Sequence, residues 1–194
     1  MLTKEQLQAF ETDICETFCR GEIRAPVHLS DGNEDQLIEV FGRIRPQDWV
    51  FSTWRSHYHA LLRGLPPEFV RQKILDGHSI SINCPEKRFF ASAIVGGIVP
   101  IAMGVAMGIR LRGVDEKAYL FIGDMTDRIG IVHEMRQFSE GNSLPICIVV
   151  EDNGVAVSTP TADAWGTDGA KLETVRYEYR SRFPHVGAGK WLTF

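Results

Sequence analysis

The sequence predicts an α/β protein with a mainly parallel β-sheet, and three observations carry this prediction. Two apolar runs, Ala118 to Ile122 and Leu144 to Val150, do not alternate with polar residues, as is typical of strands that are buried on both faces. A helix-length segment, about Thr126 to Ser139, separates them, and parallel neighbours need such a crossover. The length of 194 residues suits one domain, which we expect to span residues 1–194.

The first helix is predicted by its capping residues. Thr3 and Gln6 have the spacing of a capping box, in which each side chain accepts a hydrogen bond from the other residue's backbone N–H. We expect the helix to run to about Arg20. Its predicted apolar face consists of Leu7, Phe10, Ile14 and Phe18.

Breaks in the apolar pattern delimit the other elements. We expect helices at residues 34–43, 56–63 and 67–75, a strand at 48–53 and loop structure at 76–92. Pro100 suits the first position of a helix that ends near Gly113. The alternation from Thr174 to Arg180 indicates a late strand with one polar face, at a sheet edge.

The uncharged stretch from Phe89 to Ile109 is long enough to be a candidate membrane span. Pro100 and four glycines interrupt it, and no aromatic belt flanks it. We therefore expect a loop followed by a shorter buried helix.

The composition disfavours a nucleic-acid or anionic-membrane partner. Lys plus Arg total 21 against 25 Asp plus Glu, which gives a net charge of −4 and leaves no excess of cations to neutralise phosphates. The four cysteines do not form a disulfide pattern, and Cys15 and Cys19 lack a second Cys/His pair for zinc. With no signal-peptide pattern at the N-terminus, we expect reduced thiols in the core or at an interface, and a cytoplasmic protein.

Polar residues follow both apolar runs. Gly123-Asp124-Met125-Thr126 comes after the first run and Glu151-Asp152-Asn153-Gly154 after the second, so Asp124 and Asn153 are 29 residues apart. Ligands bind at the carboxyl ends of parallel strands, and a carboxylate with amide and carbonyl oxygens suits Mg²⁺. Backbone N–H groups near Met125 and Thr126 would then face phosphates. A turn with an Asx cap explains the same residues equally well.

Four blocks of the sequence extend this motif between about Ile23 and Thr161. They are IRAPVHLSDGNEDQLIEV, STWRSHYHALLRGL, AIVGGIVPIAMGVAMG and GDMTDRIGIVHEMRQFSEGNSLPICIVVEDNG. In content, order and spacing the chain resembles the alpha subunit of thiamine diphosphate-dependent 2-oxo acid dehydrogenases of the pyruvate dehydrogenase type. The resemblance implies a three-layer fold that binds the diphosphate half of the cofactor.

The resemblance also implies the site residues. Asp124, Asn153 and the carbonyl of Val155 would bind Mg²⁺. Trp54 and Arg55 would touch the diphosphate of thiamine diphosphate, and the backbone of Ala93 and Val95 would meet its aminopyrimidine ring. Further contacts to the cofactor would come from Gly123, Met125 and Thr126. His28 and His57 match histidines of the active-site channel, where an imidazole can transfer protons or hold a carboxylate; His185 is a weaker match beyond the last strand. Ala93 and Val95 are equally compatible with plain core positions.

Three departures from the family pattern bear on these expectations. Met125 stands where the family has glycine, and it would be strained if that position needed a positive φ. The loop between Leu75 and Ala93 is shorter than usual, and most of the family's sequence after Thr161 has no counterpart. We therefore expect a shortened form, without the usual docking and regulatory loops.

The implied function is that of an enzyme subunit that decarboxylates or cleaves a 2-oxo acid and transfers the acyl or aldehyde unit. In this family the glutamate that contacts the pyrimidine comes from a beta-type subunit, so we expect a shared site in a heterotetramer or heterodimer, or a homodimeric core. Gly104 and Gly108, one helical turn apart, would allow close helix contact there; packing within the domain is the alternative. Two other functions stay open: a carboligase rather than a dehydrogenase, and a non-catalytic partner subunit.

Overall fold

A five-stranded sheet forms the centre of the computed structural model, which describes residues 2–166 together with 175, 176 and 178. Its strands are β1 (Trp49–Ser52), β2 (Asn83–Cys84), β3 (Phe89–Ala91), β4 (Ala118–Gly123) and β5 (Ile146–Glu151). The spatial order is β2-β3-β1-β4-β5, and every pair is parallel except β2 with β3. The predicted mainly parallel sheet is confirmed.

Helices cover both faces of the sheet, and a small hairpin follows the last strand. The helices are α1 (Lys4–Cys19), α2 (Glu34–Phe41), α3 (His57–Leu62), α4 (Pro67–Leu75), α5 (Ile98–Arg112), α6 (Asp124–Asp127), α7 (Gly130–Gly141) and α8 (Thr161–Trp165). The hairpin pairs β6 (Val155–Ala156) with β7 (Thr159–Pro160). Single 3₁₀ turns lie at Ser79–Ser81 and Pro85–Lys87.

Alternate side chains of β4 separate the two hydrophobic cores. Tyr119 and Phe121 pack with the core that includes α1, α2, α3 and α4. Leu120 and Ile122 point to the opposite face, where α5 and α7 cover them. Each fully buried aliphatic side chain contributes about 1.5–3 kcal/mol, so both faces of the sheet stabilise the predicted three-layer arrangement.

Most helices follow the sequence signals. The capping box of Thr3 and Gln6 is present at the start of α1, and Arg20 forms its C-cap. α4 has the predicted bounds. The apolar face of α1 is only partly as expected, because Phe18 is exposed while Glu11 and Thr17 are buried.

Three expectations about element bounds are wrong. Residues 76–92 are not all loop, because the three-residue strand β3 lies beside β1. α5 begins at Ile98, so Pro100 lies two residues inside its first turn, where a missing N–H costs no helical bond. The helix expected at 126–139 is two helices, α6 and α7. The predicted strand at 174–180 and His185 fall outside the described residues, apart from residues 175, 176 and 178.

The uncharged stretch 89–109 divides into β3, a loop and α5. The buried face of α5 includes Val99, Ala102, Ala106 and Ile109. Within the described part of the chain, no helix has the length and apolarity that a membrane span requires. All four cysteines are free. Cys15 and Cys19 are exposed, whereas Cys84 and Cys147 are partly buried and pack against the core that includes α1 to α4.

Candidate functional site

A cleft of about 680 Å³ opens at the carboxyl edge of the sheet. We call it the sheet-edge cleft. It is lined by residues 29–33, three residues of α2, and residues 53–55, 123–126, 149–153 and 155–157. This volume lies in the range of small-molecule sites, and the position is the one where open parallel sheets bind their ligands.

The pairing of β4 with β5 brings the two polar motifs together. Gly123 lies opposite Glu151 in the parallel register. Asp124 therefore leaves one strand beside the point where Asp152 and Asn153 leave the next, and all three line the sheet-edge cleft. This juxtaposition is the one that the 29-residue spacing predicts.

Asp124 is nearly fully buried at the start of α6. Its Oδ2 atom accepts a hydrogen bond from the hydroxyl of Thr161. Within residues 2–166, Oδ1 of Asp124 has no hydrogen-bond partner in the chain. One carboxylate oxygen is thus held by the protein, and the other remains available for a ligand.

The loop after β5 is folded by its own side chains. Oδ1 of Asp152 accepts from the N–H of Gly154 at 2.9 Å, and Oδ1 of Asn153 accepts from the N–H of Val155 at 3.1 Å. These are Asx turns, so the alternative explanation of the motif, a turn with an Asx cap, describes the loop correctly. It does not exclude a metal, since an amide oxygen has a second lone pair.

The charges of the cleft fit a divalent cation. Within the described residues, the lining includes four carboxylates, Asp31, Asp124, Glu151 and Asp152, and one cationic side chain, Arg55. A diphosphate would be repelled by such a lining unless a metal ion bridged it. Asp124, the amide of Asn153 and the carbonyl of Val155 form an all-oxygen set with one carboxylate, which suits Mg²⁺ with phosphates and water as further ligands. In the described chain no three His, Cys, Asp or Glu side chains cluster as a metal site, as expected for a set with one carboxylate.

Trp54 and Arg55 form one wall of the cleft, and His28 lies beside Trp54 but is not itself a lining residue. Trp54 and Arg55 line the cleft, and the ring of His28 lies 6.0 Å from the ring of Trp54. Partial burial lowers the pKa of His28 from its ordinary value of 6.5, and the positive charge of Arg55 lowers it further. His28 is therefore mainly neutral at pH 7, and a neutral imidazole can accept a proton.

His57 lies in the interior rather than in the cleft lining. Its Nδ1 is 2.9 Å from Oε1 of Glu11, its Nε2 is 2.9 Å from Oγ of Ser79, and its side chain has no exposed surface. Glu11 is buried as well, and burial raises its pKa although His57 acts in the opposite direction. In this structure both nitrogens of His57 are engaged by the protein, so its predicted catalytic role stays a prediction.

Ala93 and Val95 do not line the sheet-edge cleft. They lie in the loop before α5, where Val95 is 56% exposed and its neighbour Ile94 is also exposed. Neither is a core residue. Their contact with an aminopyrimidine ring stays a prediction.

Met125 has helical backbone within α6 and is not among the described residues with positive φ. The strain expected from replacing glycine is absent. Its sulfur lies 2.7 Å from Nε1 of Trp165 on α8, so the larger side chain is used for packing. Gly123 and Thr126 line the cleft, and Thr126 is buried; their contact with thiamine diphosphate stays a prediction.

Sequence reasoning missed the groups that hold the wall formed by residues 30–33. Oε2 of Glu11 accepts from the N–H of Ser30, and Oε1 of Glu34 accepts from the N–H of Gly32. Oε1 of Glu151 accepts from the side-chain amide of Asn33 at 3.0 Å. In the sequence, Glu11 and Glu34 look like ordinary acidic residues of a solvated helix surface. Only their burial in the structure shows that they hold this segment of backbone.

An open α/β fold with a ligand-sized cleft at its carboxyl edge defines the class of protein: an α/β protein with a candidate small-molecule site at the edge of its parallel sheet. The chain belongs to the family of the dehydrogenase E1 component, whose model matches residues 3–175. This confirms the family that the four sequence blocks indicate.

Curated relatives agree with that assignment. The chain is 29% identical over 163 residues to the alpha subunit of acetoin:2,6-dichlorophenolindophenol oxidoreductase from Cupriavidus necator, covering 79% of this chain and 49% of the relative. It is 26% identical over 166 residues to the pyruvate dehydrogenase E1 component subunit alpha of Rickettsia bellii, covering 80% and 51%. The chain thus spans about half the length of these relatives.

Among solved structures, the chain is similar to a protein described as a thiamin diphosphate-dependent enzyme from Mycobacterium smegmatis. The identity is 22% and the TM-score 0.43, with 67% of this chain and 23% of that chain covered.

Proposed function

We propose that this chain forms the diphosphate-binding half of a thiamine diphosphate- and Mg²⁺-dependent active site that decarboxylates or cleaves a 2-oxo acid. The proposed site is completed by a beta-type subunit. When bound, thiamine diphosphate supplies the electron sink for breaking the bond next to the keto group. The acyl or aldehyde unit then passes to an acceptor.

One observation carries the proposal: Asp124, Asn153, Val155 and Arg55 all line the same cleft at the ends of adjacent parallel strands. The free Oδ1 of Asp124 and the loop oxygens are suited to hold the metal. The guanidinium of Arg55 is permanently charged and is suited to bind a phosphate oxygen with two donors.

His28 is the chain's own candidate for proton transfer in this reaction. It lies beside Trp54, which lines the cleft, and its lowered pKa keeps it neutral near pH 7. Such an imidazole accepts a proton at one nitrogen and returns it from the same atom.

The surface of α5 supports a subunit partner. A side chain placed at Gly104 or Gly108 would meet no atom within 4 Å, so packing within the described chain does not explain these glycines. Ile101 is exposed on the same helix, and Leu111 is 84% exposed. An apolar helix face of this kind is typical of an interface, and it adjoins the loop of Ala93 and Val95, where the pyrimidine end of the cofactor would lie.

The test is calorimetric titration of thiamine diphosphate into the chain together with its beta-type subunit, with MgCl₂ and with EDTA, since we expect the chain alone to bind the cofactor weakly. We expect metal-dependent binding that Asp124→Ala abolishes, since the candidate set has no other carboxylate. Asp163→Ala, which removes an exposed carboxylate on α8, is the matched control and should bind as the wild type does. Equal cofactor affinity in Asp124→Ala and wild type would overturn the proposal.

Turnover distinguishes the kinds of acceptor. A lipoyl carrier should support turnover of the chain with its beta-type subunit if the enzyme is a dehydrogenase. Turnover with an aldehyde alone would favour a carboligase.

A further inference from the structure

Thr161 contacts both of the segments that would hold the metal. Its hydroxyl donates to Oδ2 of Asp124, and its backbone N–H donates to the carbonyl of Gly154 at 2.8 Å. Gly154 lies between Asn153 and Val155. Thr161 is 93% buried, because only 7% of its surface is exposed.

The hairpin explains how Thr161 reaches this position. β6 and β7 pair Val155 with Pro160, so the chain turns back on itself directly after the loop of Asn153. α8 then begins at Thr161, next to the start of α6. The residue that closes the hairpin is thus brought against the carboxylate that opens α6, 37 residues earlier in the chain.

We propose that Thr161 is a positioning residue for the divalent cation, an inference that rests on the proposed Mg²⁺ site. Its hydroxyl fixes the carboxylate of Asp124 by one oxygen and so directs Oδ1 into the cleft. Its N–H fixes the backbone between the other two ligand residues. Groups that hold a ligating carboxylate in this way set the affinity of a metal site, and their loss typically costs about 10–100-fold.

The substitution Thr161→Val isolates the hydroxyl, because valine has nearly the same shape and keeps the backbone N–H. It leaves Oδ2 of Asp124 without its donor, so the carboxylate is free to rotate. Thr161→Ser restores the donor and is the matched control.

The experiment measures Mn²⁺ binding by electron paramagnetic resonance of the free ion, at saturating thiamine diphosphate, without any turnover. We expect about 10–100-fold weaker binding in Thr161→Val and a value close to wild type in Thr161→Ser. Thermal unfolding without metal reports on the fold separately. Should Thr161→Val not fold, Thr161→Ala carries the same comparison.

The outcomes separate this inference from the proposed function. If the wild type binds no Mn²⁺, the proposed metal site fails. If the wild type binds Mn²⁺ and the valine variant binds equally well, the role of Thr161 is refuted while the metal site stands. Equal weakening in the serine and valine variants would also refute it, because the hydroxyl would then not be the cause.

Discussion

Nε2 of His59 lies 3.2 Å from Oε1 of Glu151, and this contact joins α3 to the carboxyl end of β5. The same oxygen of Glu151 accepts from the side chain of Asn33, while Nδ1 of His59 is 2.6 Å from the hydroxyl of Ser52 at the end of β1. His59 is almost fully buried against Phe121. One carboxylate therefore links the two walls of the sheet-edge cleft directly ahead of Asp152 and Asn153.

We expect Glu151→Ala to raise the dissociation constant for thiamine diphosphate with Mg²⁺ by about 10-fold or more. The alanine releases both His59 and Asn33, so the loop of Asn153 loses its anchor. Glu151→Gln is the control, since an amide oxygen still accepts from both donors. Calorimetric titration of both variants checks this, and equal affinities for alanine and glutamine would contradict the anchoring role.

The pair of Glu11 and His57 predicts a stability change that depends on pH. We expect His57→Ala to lower the free energy of unfolding by about 1–3 kcal/mol at pH 8, because Oε1 of the buried Glu11 loses its hydrogen-bond partner while Oε2 keeps that of Ser30. Burial raises the pKa of Glu11, and loss of His57 raises it further. Urea unfolding measures the change.

The sign follows from proton binding. A carboxyl with a raised pKa binds more protons folded than unfolded, so its contribution to stability is present at low pH and is lost as the pH rises through the folded pKa. Adding Glu11→Gln to His57→Ala removes that carboxyl. We expect the double variant to have a higher free energy of unfolding than His57→Ala alone, and we expect this difference to be larger at pH 8 than at pH 5. A difference independent of pH would show that Glu11 is not the source of the loss.

The pKa of His28 offers a direct test of the electrostatics around Arg55, which lines the cleft. We expect Arg55→Gln to raise the pKa of His28, because a nearby positive charge is removed, but to leave it below 6.5, because burial is the larger cause. Titration of the imidazole resonance by NMR measures this value. Arg24→Gln, at an exposed arginine close in sequence, should leave it unchanged; an equal shift in both variants would rule out a local effect of Arg55.

Local signals in the sequence predicted much of this architecture. The capping box of Thr3, the non-alternating runs of β4 and β5 and the glycine after α5 are each read from a few neighbouring residues. The meeting of Asp124 with Asn153 also follows, because parallel strands end at one edge. β3 was not predicted because a strand of three residues at the start of a longer apolar stretch is too short to show an alternating pattern.

The contacts that hold the site are less accessible to sequence reasoning. Thr161 meets Asp124 only because the hairpin reverses the chain, and His57 meets Glu11 across 46 residues. No periodicity links such pairs. His57 and His59 look equivalent in the sequence, yet one binds a buried acid of α1 and the other binds the end of β5.

Replacing Gly104, an exposed glycine of α5, should have opposite effects on folding and on assembly. Gly104→Leu adds a side chain where no atom lies within 4 Å, and replacing glycine inside an exposed helix stabilises it by about 0.5–1 kcal/mol. The isolated chain should therefore unfold at an equal or higher temperature. If a partner or a second copy packs closely on Gly104, the same side chain overpacks that interface at a cost of about 1–3 kcal/mol or more. Light scattering on the chain alone and with a beta-type subunit should then show a smaller assembly.

Gly141→Leu provides the matched control for that experiment, because Gly141 also has open space around it but ends α7 instead of lying on α5. We expect Gly141→Leu to leave the assembly intact. If the active site is shared between subunits, Gly104→Leu should reduce the turnover of 2-oxo acid as well as the mass of the assembly. The reason is that separated subunits would each leave one half of the cofactor exposed to water. A monomeric chain that decarboxylates 2-oxo acids unaided would refute the shared site. An unchanged assembly in Gly104→Leu would show that the interface does not include this part of α5, because a leucine at a closely packed position would weaken the association.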